Sequence, residues 1–229
     1  MDRYSEVINK NQREIVLLKA FPCKWGKCSF CDYILDNSKD EEEINKVNFQ
    51  VLENVTGKYK VLEVINSGSC FEIPKDTLLK IKEIIKEKKI ERLFLESHWI
   101  YKNKIQQMRD FFEIPITFKI GVETFDNDFR NEYLNKNAKF KTVEELKKYF
   151  DSPCIMVGIK GQTKEMIDND MKIVQDHFEH ATINVFINNS SKVTRDEKLV
   201  VWFSKKYKFL IDNPKIEILF NNTDFGVGD

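Results

Sequence analysis

Short apolar runs alternate along the chain with longer stretches whose apolar residues recur at helical spacing. EIVLLKAF (14–21) reads as a buried strand. Residues 40–54 suit a helix, and KVLEVI (60–65) a second strand. The segment 74–89 is a strongly amphipathic helix: Pro74 suits its first turn, and Leu78, Ile81, Ile84 and Ile85 fall on one face. Further strands are expected at 92–95, 116–122, 154–159 and 182–187, with a possible last one at 215–220. Helices are expected at 100–112, in stretches up to Phe150, at 163–178 and at 196–207. Six strand–helix repeats predict parallel βα units with right-handed crossovers. Six units are too few for a closed eight-unit barrel, so the expected fold class is α/β, a partial (β/α)6 barrel.

No low-complexity linker or composition break interrupts this rhythm. One domain over 1–229 is expected, with a core at about 14–190 and a C-terminal closing segment at about 191–229. Hydrophobic residues make up 41% of the chain and include 18 Phe, which argues for a packed core and against disorder. Lys+Arg and Asp+Glu are both 37, so the chain lacks the basic excess of a non-specific nucleic-acid binder. No direct nucleic-acid contact is expected. No apolar run is long enough to span a membrane, and the first residues lack the apolar stretch of a signal peptide. The expected location is cytoplasmic.

In parallel α/β folds, reactive groups sit on the loops that follow the carboxyl ends of strands. The unusual residues of this chain fall there. Cys23, Cys28 and Cys31 follow the first expected strand in a C-x4-C-x2-C pattern. Three clustered thiols in a reducing compartment indicate metal or redox chemistry rather than a disulfide framework. Three thiolates can hold three corners of an iron–sulfur cube and leave the fourth iron open. Gly26 lets the backbone turn around the inorganic core, and Lys24 and Lys27 balance charge. One alternative is zinc, with a fourth ligand from Asp32, a distant His or Cys70; no second C-x2-C or H-x3-H unit accompanies it. Another is three unrelated buried cysteines. Cys70 and Cys154 lie at strand boundaries and read as buried thiols; His177 and His180 read as solvent-facing at a helix end.

The cysteine loop, with Phe30 just before its last Cys, resembles that of the radical S-adenosylmethionine (SAM) enzymes. NSGSCFEIP after the second strand, IGVET after the fourth, the EYLNK that follows, and GIKGQTKE after the fifth are similar to segments of the Elp3-like branch, in the same order. Among minimal members, the chain most resembles the queuine lyase group of queuosine salvage. The resemblance implies a [4Fe–4S] cluster held by Cys23, Cys28 and Cys31, with SAM on the fourth iron. It implies one-electron cleavage of SAM to a 5′-deoxyadenosyl radical, fed by an external donor such as flavodoxin or ferredoxin. The substrate implied is a small deazapurine, most simply queuine, cut to 7-aminomethyl-7-deazaguanine (preQ1). Alternatives are another radical SAM reaction on a purine-like or tRNA-derived compound, and a non-catalytic zinc or iron–sulfur module.

On that footing, Phe30 and Trp25 pack against adenine or the cluster. Ser67, Gly68, Ser69, Glu123, Gly158 and Asn188 contact SAM, and Gly161 permits close backbone approach. Glu96, Ser97, Asn189 and Asp224 contact substrate, and Glu96 and His98 are the candidate catalytic groups.

Overall fold

The computed structural model of the chain describes residues 1–228; Asp229, the end of the expected closing segment, lies outside the described residues. Two compact units emerge. The first holds Met1–Gly26, Tyr33–Phe118 and the chain from Phe225 onward; the second holds Lys27–Asp32 and Lys119–Asp224.

The first unit is built on strands β1 (Tyr4–Val7), β2 (Arg13–Leu18), β3 (Val61–Asn66) and β4 (Arg92–Glu96), in that spatial order. β1 pairs antiparallel with β2, whereas β2/β3 and β3/β4 are parallel. β1 carries no sequence signal of a strand: its four residues are all half-buried, so no apolar alternation marks it. β2 ends at Leu18 rather than at residue 21, and the freed residues lead into the cysteine loop. Helix α1 (Glu41–Leu52) starts where Asp40 accepts the Glu43 N–H at 3.1 Å, with three acidic residues in its first turn. Helix α2 (Lys75–Lys88) stops at Lys89, which adopts φ +56°. Helix α3 (Ile105–Phe112) follows a 3-10 turn at Trp99–Lys104. Val16, Leu18, Leu62, Val64, Leu93 and Leu95 share one face of these strands and are fully buried, as are Ile44 of α1 and Ile81 of α2.

The second unit orders β5 (Ile116–Glu123), β6 (Ser152–Val157), β7 (Ala181–Val185) and β8 (Ile216–Leu219), all in parallel; the first residues of β5 belong to the first unit. Every residue of β6 is buried, the signature of a strand covered on both faces. The chain between β5 and β6 holds a π-helical turn at Phe129–Tyr133 and a short helix α4 (Val143–Lys147), where longer helical stretches were expected. Helices α5 (Lys164–His177) and α6 (Glu197–Lys206) are capped by Thr163 and Asp196. In chain order this gives six strand–helix units followed by β8, as the pattern predicts. β6 ends two residues early because Gly158 turns the chain with φ +86°.

Candidate active site

In the first unit, the chain leaving β2 is fastened to the segment after β3. The Phe21 N–H donates to the Glu72 carbonyl at 2.9 Å, and the Lys24 N–H to Glu72 Oε1 at 2.8 Å. Cys23 lies between these two donors. With its amide oriented to satisfy both neighbours, Asn37 accepts from the Cys23 N–H and donates to the Ser67 carbonyl, each at 3.1 Å. Gly26 has φ +56°, and its N–H points at Cys23 Sγ at 3.4 Å. Ser67 donates to Asp36 at 3.3 Å, and Arg3 holds the same carboxylate at 3.1 Å. A Cβ on Gly68 would collide with the Glu72 carboxylate. Ser69 is fully enclosed: its N–H donates to Glu72 and its hydroxyl accepts the His98 N–H at 2.9 Å. Burial pushes the Glu72 carboxyl above its usual range, and the Lys24, Ser69 and Tyr101 donors oppose that shift.

After β4, Glu96 is half-buried, and Ser97 is buried with its hydroxyl donating to the His98 carbonyl at 3.3 Å. His98 Nδ1 accepts the Ile100 N–H at 3.2 Å, which in the neutral ring leaves the proton on Nε2. The ring stacks on half-buried Trp25, with centroids 6.4 Å apart and planes 18° apart.

In the second unit, the later part of the cysteine loop rests on the turn after β5. Ser29 donates its N–H to the Leu134 carbonyl at 3.0 Å and its hydroxyl to the Tyr133 carbonyl at 2.8 Å. Asn135 Nδ2 donates to the Lys27 carbonyl at 2.7 Å, and Asn189 Nδ2 to the Phe30 carbonyl at 2.9 Å. Asp32 accepts from the Ser190 N–H and hydroxyl, both at 3.0 Å. Phe30 is buried in an apolar cluster with Phe129, Leu134, Met156, Ile159 and Phe186, against which Cys28 and Cys31 pack.

Beside this cluster stands an ion pair that the backbone is bent to make. β5 carries a register shift between Gly121 and Glu123, and Glu123 has φ +67°, a costly value for a residue with a side chain. Its carboxylate accepts from Lys136 Nζ at 2.6 Å. A Cβ on Gly121 would meet both Glu123 and Lys136. Lys136 Nζ also lies 5.5 Å from the Phe30 ring centroid. Burial opposes the lysine charge, but Glu123, Cys28 and Cys31 outweigh it and hold Lys136 above its usual range. Backbone outliers of this kind cluster at functional sites.

The other expected residues are placed as follows. Gly158 is buried, and a Cβ there would strike Val200 of α6, so its lack of a side chain serves helix packing. Gly161 has φ +99° and is exposed. Asn188 is exposed and accepts the Arg195 N–H at 2.8 Å. Asp224 is exposed and closes its own turn, accepting the Phe220 N–H at 2.6 Å and the Asn221 N–H at 2.9 Å. Cys70 and Cys154 are buried thiols, as expected. His180 departs from expectation: it does not face solvent but bridges Ser152 at 2.6 Å and Glu217 at 3.1 Å. Sequence reasoning singled out neither Glu72 nor Tyr101. An acid inside the otherwise uncharged SGSCFEIP run was the available signal.

Cys23, Cys28 and Cys31 are half-buried thiols, none of them in a disulfide. Among the described residues, no three His, Cys, Asp or Glu side chains are gathered into a group that would hold a single metal ion. A tetranuclear cluster instead takes one thiolate per iron corner. A backbone N–H at Cys23, and an ammonium whose charge is felt at Cys28 and Cys31, suit thiolate ligation.

No protein-family model matches the chain. A solved queuine lyase from Clostridium spiroforme, bound to SAM and queuine, is 55% identical over 100% of both chains, with a TM-score of 0.99. The chain belongs to the queuine lyase family of radical SAM enzymes. A radical SAM methyltransferase from Sphaerobacter thermophilus shares the fold at 10% identity, with a TM-score of 0.63 over 92% of this chain and 67% of the other. An uncharacterized protein of Methanocaldococcus jannaschii is 26% identical over 167 residues, 64% of this chain. The match spans 44% of that relative's length. The α/β partial barrel of radical SAM type expected from the sequence is therefore the fold of this family member. The [4Fe–4S] cluster and SAM are the cofactors of the enzyme class. No helix among the described residues is long and apolar enough to cross a membrane.

Proposed function

We propose that this protein is a queuine lyase, cutting the free base queuine to release 7-aminomethyl-7-deazaguanine. The supporting observation is the full-length likeness, at 55% identity, to a structure holding both SAM and queuine. When bound, the cluster and SAM supply a 5′-deoxyadenosyl radical that removes a substrate hydrogen.

In this reading Cys23, Cys28 and Cys31 each ligate one iron. Phe30 supplies the apolar floor beneath Cys28 and Cys31, which keeps water from that side. Trp25, fixed by its stack on His98, offers a flat face to a base or to adenine. Ser67, Gly68 and Ser69 shape the loop that receives SAM; enclosed Ser69 acts through His98, and Gly68 makes room for Glu72. Glu123 orients a donor of SAM from its bent position at the end of β5, and Gly158 and Asn188 shape the later loops. Glu96, half-buried after β4, reads the guanine-like N–H edge of the substrate, aided by Ser97, Asn189 and Asp224. The His98 Nε2–H is a donor held in one orientation by the Nδ1 bond.

The single-domain organisation expected from the sequence is part of this proposal, because the strand–helix rhythm runs through both units without a linker. So are a cytoplasmic location, where thiols stay reduced, and an external one-electron donor of the flavodoxin or ferredoxin type. The test is anaerobic incubation of reconstituted, reduced protein with SAM and queuine. The expected products are 7-aminomethyl-7-deazaguanine and 5′-deoxyadenosine. An intact cluster that yields neither would reject the substrate. SAM cleavage without base cleavage would keep the radical SAM chemistry and move the substrate elsewhere.

A further inference from the structure

Glu72 is buried, and three donors converge on its side chain: the Lys24 N–H at 2.8 Å and the Tyr101 hydroxyl at 3.0 Å on Oε1, and the Ser69 N–H on Oε2. Its main-chain carbonyl takes a fourth, the Phe21 N–H at 2.9 Å. Phe21 and Lys24 flank Cys23 along the chain, so a single residue grips the backbone on both sides of that cysteine. Gly68 admits the carboxylate, since any Cβ there would overlap it. Cys28 and Cys31 are held by other means: the Ser29 and Asn135 bonds and the apolar cluster around Phe30. A buried carboxylate must keep its donors, because each one lost leaves a polar group stranded away from water. The bonds to Glu72 therefore restrain Cys23 tightly.

We propose that Glu72 is the positioning residue for Cys23, setting the direction and mobility of that thiol as a cluster ligand independently of the other two. The proposal rests on reading the loop as a cluster-binding loop. Its first test, however, uses the cluster-free protein. Reduced apo-protein is treated anaerobically with limiting iodoacetamide, and alkylation is followed at each cysteine by peptide mass spectrometry. Tyr101→Phe removes one hydrogen bond to Glu72 and should speed alkylation of Cys23 about fivefold, the equivalent of one net hydrogen bond. Glu72→Gln, which sets an amide N–H against the Ser69 N–H, should raise it further. Cys28, Cys31 and deeply buried Cys154 should stay within about twofold of wild type, since their restraints are untouched. After reconstitution, loss of the cluster to an iron chelator should accelerate in the same order.

An unchanged rate at Cys23, or a rise shared by all the cysteines, would overturn the proposal; the second result would mark Glu72 as part of the general fold. Glu72→Ala removes the whole side-chain clamp; should it fail to fold, the two milder variants decide. Failure of the wild-type protein to take up a [4Fe–4S] cluster would reject the proposed function and leave the alkylation result standing.

Discussion

Replacing Lys136 with Met removes the ammonium that faces Glu123 at 2.6 Å and keeps an unbranched side chain of similar bulk. The Lys136 and Glu123 side chains are only 12% and 6% exposed, so water cannot replace the lost partner. Breaking one side of a buried ion pair costs about 3–5 kcal/mol, against about 0–1 kcal/mol for an exposed pair. Glu123 cannot readily swing away, because it is pinned at a bulge with φ +67°. We therefore expect Lys136→Met to destabilise the cluster-free protein by about 3–5 kcal/mol in urea unfolding. At roughly 2–4 °C per kcal/mol for a chain of this size, the melting temperature should fall by about 6–20 °C. Adding Glu123→Gln removes the stranded charge and should recover most of the loss, giving a large coupling energy in the double-mutant cycle. The pH dependence follows from the same geometry. Burial opposes the charge of Lys136, but Glu123 and the nearby Cys28 and Cys31 outweigh it, so the ammonium titrates above the ordinary lysine range. The pair's stabilisation is thus fully present below the unfolded lysine pKa and lost only as pH rises through the higher folded value. The difference between wild type and variant should stay level across neutral pH. A loss under about 1 kcal/mol would refute the reasoning, because the pair would then be behaving as an exposed one.

Gly158→Ala must adopt φ +86° and push into Val200, so a loss of about 2–5 kcal/mol is expected from strain and overpacking together. The added Val200→Ala change should return the overpacking part, as read by urea unfolding. Burial lifts the carboxyl of Asp170 from 3.8 to about 7 in the folded chain. Its contribution to stability is present below the unfolded pKa and lost as pH rises through the folded one. Unfolding of wild type minus Asp170→Asn between pH 4 and 7 should show this fall, and a flat difference would contradict it. Ser at any one of Cys23, Cys28 or Cys31 should abolish the brown colour and most of the iron of anaerobically reconstituted protein, while Cys154→Ser should retain both.

The strand–helix rhythm, the six-unit count and the three-thiol loop were legible in the sequence, because each depends on local spacing. Apolar runs bounded by polar turns mark buried strands, and nine residues from Cys23 to Cys31 suffice to show three clustered thiols. The buried state of Cys70 and Cys154 was legible for the same reason. Elements carried by long-range pairing were not. β1 is half-buried and gains its identity only from pairing with β2. His180 reads as a helix-end histidine until Ser152 and Glu217, 28 and 37 residues away, are brought to its two ring nitrogens. Glu72 acquires its place only when Lys24 and Tyr101, distant in the chain, turn their donors toward one carboxylate. Lys136 lay within the EYLNK segment, but its partner, the bulge that aims that partner and the missing Cβ at Gly121 are products of the folded backbone. Residue type and spacing determined which chemistry the chain can carry. The convergence of donors and charges onto buried carboxylates was decided in three dimensions, because such groups must find their partners wherever the fold supplies them.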